Sequence, residues 1–242
     1  MRAPDSFGVA ERGEARLTFI SMTMYLRLLE FRASEPSRFK SGFHRPAHHI
    51  NELFLHFLGN RVTLDGSSKI SILCGPRLTE PQYQQVLGCS VCFLESFDFL
   101  AFDLGTARER SELFLTAIET VLSDIAARSG VSAGAIQAAA QLVRGRDFCC
   151  SMEVKRLSIS LGSMRLQVFR NLSDELGEAW SLRLVPRGGE PIAELPIGPR
   201  PGYIDGRSAY RSTSVEDRIF TVWGSFGRVA ATVDLSPFVG TA

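Results

Sequence analysis

The sequence predicts an α+β fold, with hairpins and three or four helices in the N-terminal part and an antiparallel sheet of about five or six strands in the C-terminal part. Two observations predict this division. Apolar residues recur at helical spacing in several segments before residue 147, whereas the later segments are short, β-favouring and separated by turn residues. The chain has 242 residues, of which 45% are hydrophobic and 22% charged, so it can bury a sizeable core.

Residues 24–242 are expected to form one compact unit, with a candidate subdomain boundary near residues 145–147, where the spacing of apolar residues changes. Residues 1–23 are predicted to be a flexible N-terminal arm, because residues 1–14 are polar and contain glycine. An apolar segment at residues 17–26 lacks the cleavage site of a signal peptide. Secretion is therefore disfavoured.

Local patterns predict the first elements. Residues 25–32 mix β-favouring side chains with charges, which is typical of a strand. Residues 46–58 carry one apolar helical stripe, which predicts an amphipathic helix. The stripe consists of Ile50, Leu53, Phe54, Phe57 and Leu58. Residues 61–65 and 69–74 flank a short polar segment, and this arrangement indicates a β-hairpin.

The middle of the chain contains helix signals around one apolar strand. A short helix is expected from Thr79, with Pro81 in its first turn. Residues 89–95 are a compact apolar run, which predicts a buried strand. Thr106 and Glu109 have the spacing of a capping box ahead of the longest apolar helical pattern.

Two helices and a change of pattern follow. The longest helix is expected to end at Gly130, and Ser132 can cap a further helix that ends at Gly145. After residue 147 the pattern becomes strand, turn, strand. The predicted strands are residues 148–161, 164–170, 179–185, 191–196, 215–223 and 228–235.

Charge and cysteine content indicate which partners and which cell compartment the chain fits. The formal net charge is +1, from 27 basic and 26 acidic side chains that are mixed along the chain, which disfavours nucleic acid as a partner. No run of about 18 apolar residues exists, so no membrane span is predicted. The odd number of cysteines, 5, fits a reduced cytoplasmic protein. The dominance of arginine over lysine indicates a bacterial source.

One helical face carries candidate metal ligands. His48, Glu52 and His56 are spaced four apart, but the first and last lie about 12 Å apart along a helix axis, too far to share one ion. A solvated helix face is the simpler interpretation. The alternative is a two-residue clip that Asp98 and Asp103 complete, which would indicate a metal-assisted hydrolase.

Other motifs do not indicate catalysis. Cys89 and Cys92 form a C-x-x-C motif inside a strand-like apolar run, so buried thiols are expected rather than a redox pair. The sequence contains no G-x-S-x-G, P-loop or G-x-G-x-x-G motif. No cofactor is therefore predicted.

Arginine and tyrosine alternate in a loop-rich C-terminal segment, at Arg200, Tyr203, Arg207 and Tyr210. These residue types anchor protein interfaces, although nearby acidic residues also allow a solvated loop that pairs its own charges. The segment favours a non-enzymatic interaction or inhibitor protein, immunity-type for example, that occludes a protein partner. This hypothesis expects the four side chains to be exposed on neighbouring surface.

Overall fold

The computed structural model describes residues 24–34, 43–59, 62–76, 82–198, 201–202 and 205–238. Within these residues, four α-helices and twelve strands form a mixed α+β fold, as the sequence predicts. The strands form three sheets, so the expected single C-terminal sheet is wrong. Helical segments are not confined to the N-terminal part either, because short 3-10 helices occur at Lys155–Leu157, Arg207–Ala209 and Ser225–Gly227.

The first sheet is mixed and has the strand order β1-β2-β4-β3. Its strands are β1 (Leu28–Ala33), β2 (Lys69–Cys74), β3 (Tyr83–Val86) and β4 (Cys89–Leu94). β1, β2 and β4 run parallel, and β3 pairs with β4 in the antiparallel sense. The predicted hairpin of residues 61–65 with 69–74 is wrong, because residues 62–65 form no strand and β2 pairs with β1 and β4. A tight turn cannot join parallel neighbours such as β1 and β2. Helix α1 (His44–Leu58) makes the crossover instead.

Three further helices follow the first sheet: α2 (Phe99–Leu104), α3 (Ala107–Arg128) and α4 (Gly134–Gly145). The predicted capping box is confirmed, because Thr106 and Glu109 satisfy each other's backbone amides at the start of α3. The predicted helix from Thr79 falls partly on residues outside the described ones, and its second half is wrong because β3 begins at Tyr83.

The second sheet is antiparallel and is built on two long strands. It contains β5 (Cys150–Glu153), β6 (Ile159–Leu161), β7 (Met164–Ser173), β8 (Gly177–Pro186) and β9 (Ala193–Pro196). β5 and β6 both pair with β7, and β8 lies between β7 and β9. The predicted strand 148–161 is wrong as a single element, since a 3-10 helix interrupts it.

The third sheet consists of β10 (Ser212–Glu216), β11 (Ile219–Trp223) and β12 (Val229–Asp234) in antiparallel order. The prediction of one strand over residues 215–223 is wrong, because a turn at Asp217 and Arg218 separates β10 from β11. Both turn residues are left-handed, with φ of 49° and 65°. Tight hairpins need this conformation, and Asp217 is typical of the first position, but Arg218 stands where glycine is usual, so the sequence signal for the turn is weak.

The apolar side chains form two cores. The first lies among the mixed sheet and the helices and includes Phe31, Phe54 and Phe114, whereas the second lies between the two antiparallel sheets. Helix α1 packs on β1, α3 and α4 and also contacts β7 and β8. It therefore stands between the two cores. No helix in the described part of the chain is long and apolar enough to cross a membrane.

Candidate functional site

A group of charged side chains lies where α1 meets the second sheet. We call it the charged cluster, and it consists of His48, Glu52, Arg170, Glu178, Asp205 and Arg207. The first two come from α1, the next two from β7 and β8, and the last two from the segment before β10. The solvated helix face expected for His48 and Glu52 is wrong, because β7 and β8 cover it.

Arg170 is the centre of the cluster. Its Nη1 donates to Glu52 Oε2 at 2.9 Å, and its Nη2 donates to Glu178 Oε2 at 2.6 Å. The side chains of Arg170, Glu52 and Glu178 are only 7%, 7% and 2% exposed. Charges this deeply buried are tolerated only when ion pairs and hydrogen bonds compensate for the lost water.

Both carboxylate oxygens of Glu178 have hydrogen-bond partners in addition to Arg170. Its Oε2 also pairs with His48 Nε2 at 2.8 Å, and its Oε1 accepts from Trp180 Nε1 and the Gly206 amide, both at 2.8 Å. Burial alone would raise the pKa of this carboxyl, but the bonds from His48 and Arg170 and the positive charge of Arg170 outweigh it and hold the pKa at about 2. Glu178 is therefore ionised.

Gly206 is required for this geometry. A Cβ at this position would lie 2.8 Å from Trp180 Nε1 and 2.9 Å from Glu178 Oε1. Only glycine lets the backbone approach closely enough for its amide to bind the carboxylate.

Arg207 completes the cluster at its exposed side. Its Nη2 donates to Glu52 Oε1 at 3.0 Å and to Asp205 Oδ2 at 2.8 Å, and its Nε donates to Asp205 Oδ1. Glu52 thus accepts from two guanidinium groups, one on each oxygen. Burial would raise the pKa of Asp205, but the hydrogen bonds and charge of Arg207 lower it.

A polar cavity of about 520 Å³ opens beside the cluster. We call it the charged cavity, and its lining consists of Leu26, Arg27, Glu52, Leu55, His56, Met152, Arg170 and Arg207. Three of these side chains are guanidinium groups and one is a carboxylate. Burial and the charge of Arg170 both lower the pKa of His56, which therefore faces a positive environment.

Two guanidinium groups at the cavity keep unused donors. Among the described residues, the Arg27 side chain has no hydrogen-bond partner, and neither has Nη1 of Arg207. Arg170 Nε is buried and also lacks a partner within the described part of the chain. Arg170 and Arg207 are already held in position by Glu52, Glu178 and Asp205. The cavity therefore presents one fixed free donor, Nη1 of Arg207, and the exposed guanidinium of Arg27.

The metal-ligand candidates do not come together. His48 and Glu52 belong to the charged cluster, and His56 lines the charged cavity. Asp98 instead caps α2 by accepting from the Ala101 amide at 2.9 Å, and Asp103 lies near the end of that helix. Among the residues that the structure describes, no three His, Cys, Asp or Glu side chains are grouped so that they could hold a metal ion.

The proposed partner-binding residues have different environments. Tyr210 is 1% exposed and stacks on Trp180 with ring centroids 4.4 Å apart, so the expectation that it is exposed is wrong. Its ring forms part of the second core, which explains the burial. Arg207 is half-exposed within the charged cluster. Arg200 and Tyr203 lie outside the described residues.

Sequence reasoning missed Arg170 and Glu178, although a signal for Arg170 exists. Inward positions alternate along β7 at Leu166, Val168, Arg170 and Leu172. Arginine therefore stands at an apolar position of a two-residue repeat. Glu178 has no comparable signal, because it directly follows the turn glycine that begins β8.

Comparisons of the chain with protein families, with curated proteins and with solved structures find no match.

Proposed function

We propose that the chain is a ligand-binding protein and that its charged cavity takes a small anionic ligand that carries carboxylate or phosphate groups. The observation that carries this proposal is the lining, in which Arg27, Arg170 and Arg207 face one carboxylate. Guanidinium groups bind both kinds of anion through paired hydrogen bonds. The volume of about 520 Å³ lies within the range typical of small-molecule sites.

The cluster behind the cavity supports the proposal. Arg170 is held on both sides by buried carboxylates, and Arg207 is held by Glu52 and Asp205. A ligand would therefore meet Arg207 already oriented, and little entropy of that side chain would be lost on binding. Arg27 and the free Nη1 of Arg207 would supply the direct contacts.

Isothermal titration calorimetry with citrate and pyrophosphate tests this function, and spermidine at equal ionic strength is the cationic control. Wild-type protein is expected to bind at least one of the two anions and not spermidine. Arg27→Glu should weaken that binding by at least about tenfold, because it reverses a charge at the cavity. Arg27 is exposed and forms no ion pair with the described residues, so the variant should fold normally.

Arg146→Glu is the matched control, since Arg146 is exposed and lies outside the cavity lining. It should bind the anion as the wild type does. Absence of anion binding by the wild type contradicts the proposal, and so does equal weakening by the two variants, which would indicate a general charge effect.

Contact with a protein partner is a second candidate function. It is favoured by α2, which exposes two large apolar side chains, Leu100 at 67% and Leu104 at 79%. The finer version, a cytoplasmic bacterial inhibitor or immunity-type protein that occludes its partner, belongs to this candidate. A pull-down from lysate with Leu100→Ala/Leu104→Ala tests it, with Leu142→Ala as control, because Leu142 is an exposed leucine on α4. A partner retained equally by both variants would contradict a role for α2.

A further inference from the structure

An apolar groove of about 500 Å³ runs between α2 and α3, beside the end of β4. We call it the α3 groove. Its apolar lining consists of Leu94, Phe97, Ala101, Leu104, Leu113 and Ala117. Leu104 lies at the rim and is largely exposed to solvent. Burial of apolar surface is favourable by about 25 cal/mol per Å², so a ligand that covers the groove gains binding free energy.

One wall of the groove is a continuous face of α3. The lining residues from Glu109 to Thr120 follow helical spacing along that face. At 1.5 Å per residue this stretch is about 16 Å long, or about three turns. A wall of this length matches one helix laid lengthwise, which is a common mode of peptide recognition.

The charged residues of the lining are all acidic. They are Asp98, Glu109 and Glu112, and no arginine or lysine of the described chain lines the groove. Hydrogen bonds from Thr106 lower the pKa of Glu109, so this carboxylate is ionised. Arg144 binds Glu112 at 2.6 Å and offsets one of the three charges. The rim therefore remains negative beside an apolar floor.

We propose that the α3 groove binds a cationic amphipathic helix presented by a partner protein. The apolar face of that helix would cover Ala101, Leu104 and Leu113, and its lysine or arginine side chains would face Asp98 and Glu109. This inference is independent of the anionic ligand. It rests on the second candidate function, for which it names the surface and the chemistry of the partner.

Fluorescence anisotropy with labelled synthetic peptides tests the proposal. The probe is a Leu/Lys amphipathic helix of about 14 residues, and its control is the same peptide with every lysine replaced by glutamate. The Leu/Lys peptide is expected to bind saturably, and the Leu/Glu peptide is expected to bind at least about tenfold more weakly.

Two matched substitutions on α3 locate the binding. Thr116 is exposed and lines the groove, so Thr116→Arg adds bulk and positive charge there. Ala127 is exposed on the same helix but outside the lining, so Ala127→Arg is its control. Thr116→Arg should weaken peptide binding by at least about tenfold, and Ala127→Arg should not.

The inference is overturned if the Leu/Lys peptide does not bind, if both peptides bind equally, or if both substitutions have equal effects. Sedimentation velocity supplies a further test, because a dimer that Thr116→Arg dissociates would show that a second copy occupies the groove. A partner captured from lysate that the Leu/Lys peptide does not displace would overturn the groove assignment while leaving the second candidate function intact.

Discussion

The charged cavity and the α3 groove have nearly the same volume but opposite linings. The cavity, of about 520 Å³, is lined by three arginines and one glutamate, whereas the groove, of about 500 Å³, is lined by apolar side chains and three carboxylates. The two sites should therefore select ligands of opposite charge. Volume alone would not distinguish the two sites. The chemistry of their linings is therefore more informative about the ligand than their size.

The two regions also differ in what stabilises their charges. Glu52 and Glu178 of the cluster are buried and accept several hydrogen bonds from fixed donors, whereas the carboxylates of the groove lie at helix ends or on an exposed helix face. Removing a hydrogen-bond donor should therefore lower the stability of the protein strongly in the first region and only slightly in the second.

Loss of Arg170 should have the largest effect. Arg170→Met leaves the carboxylates of Glu52 and Glu178 without their shared buried cation. The free energy of unfolding should fall by about 3 to 5 kcal/mol, measured by urea denaturation.

The exposed pair between Arg128 and Asp124 supplies the control, because both of its side chains are at least half exposed. Asp124→Asn should leave the urea midpoint almost unchanged. Similar losses for Arg170→Met and Asp124→Asn would contradict the distinction between buried and exposed pairs.

Truncation of Tyr210 should cost somewhat less. Tyr210→Ala removes a ring that is buried in the second core and stacked on Trp180, and about 3 to 4 kcal/mol of stability should be lost. Tyr210→Phe keeps the ring and should lose much less. Full stability of the alanine variant in urea would contradict a role for the Tyr210 ring in the second core.

Acid should lower the stability of the protein through Glu178. The pKa of Glu178 is about 2 in the folded protein and 4.5 ordinarily, so its ionised form favours folding above about pH 4.5. As the pH falls from 4.5 towards 2, the unfolded chain takes up the proton first, and about 2 to 3 kcal/mol of stability should be lost. Urea midpoints measured across this range test the loss.

Glu178→Gln should flatten that pH dependence, because a glutamine at this position does not titrate in the range. A slope unchanged from the wild type would show that other carboxyl groups cause the acid sensitivity.

The smallest expected effect lies at the start of α3, beside the groove. Thr106→Ala removes the hydroxyl half of the capping box at the start of α3, and the stability should fall by about 1 kcal/mol. The loss is measured as a shift of the thermal midpoint, with Thr106→Ser as the control that keeps the cap. A loss as large as that of Arg170→Met would contradict the contrast between the two regions.

Elements with a local signal were predictable from the sequence. The helix at His44–Leu58, the capping box and the buried strand at Cys89–Leu94 all follow from the spacing of apolar side chains or from cap residues. Elements that depend on distant pairing were not predictable. The tertiary structure determines the parallel pairing of β2 with β1. It also determines the turn at Asp217 and Arg218, which contains no glycine.

The candidate site shows the same division. The sequence indicates His48 and Glu52 as candidate metal ligands and Arg207 as a candidate partner-binding residue, and these are two unrelated hypotheses. Arg170, which joins Glu52 to Glu178, is 118 residues from Glu52 in the chain. Helical spacing places His48 and Glu52 on one face, but it does not reveal that a β-hairpin covers that face. The charged cluster is therefore a product of how the two cores meet.

The most direct test of the anionic-ligand proposal is an NMR titration that observes the arginine Nε–H signals as pyrophosphate or citrate is added. The signals are assigned with single Arg→Lys variants. We expect the Arg27 and Arg207 signals to shift saturably, while Arg144, beside the α3 groove, keeps its position. Equal small shifts at all arginines, or no shift at Arg27 and Arg207, would contradict the charged cavity as an anion site.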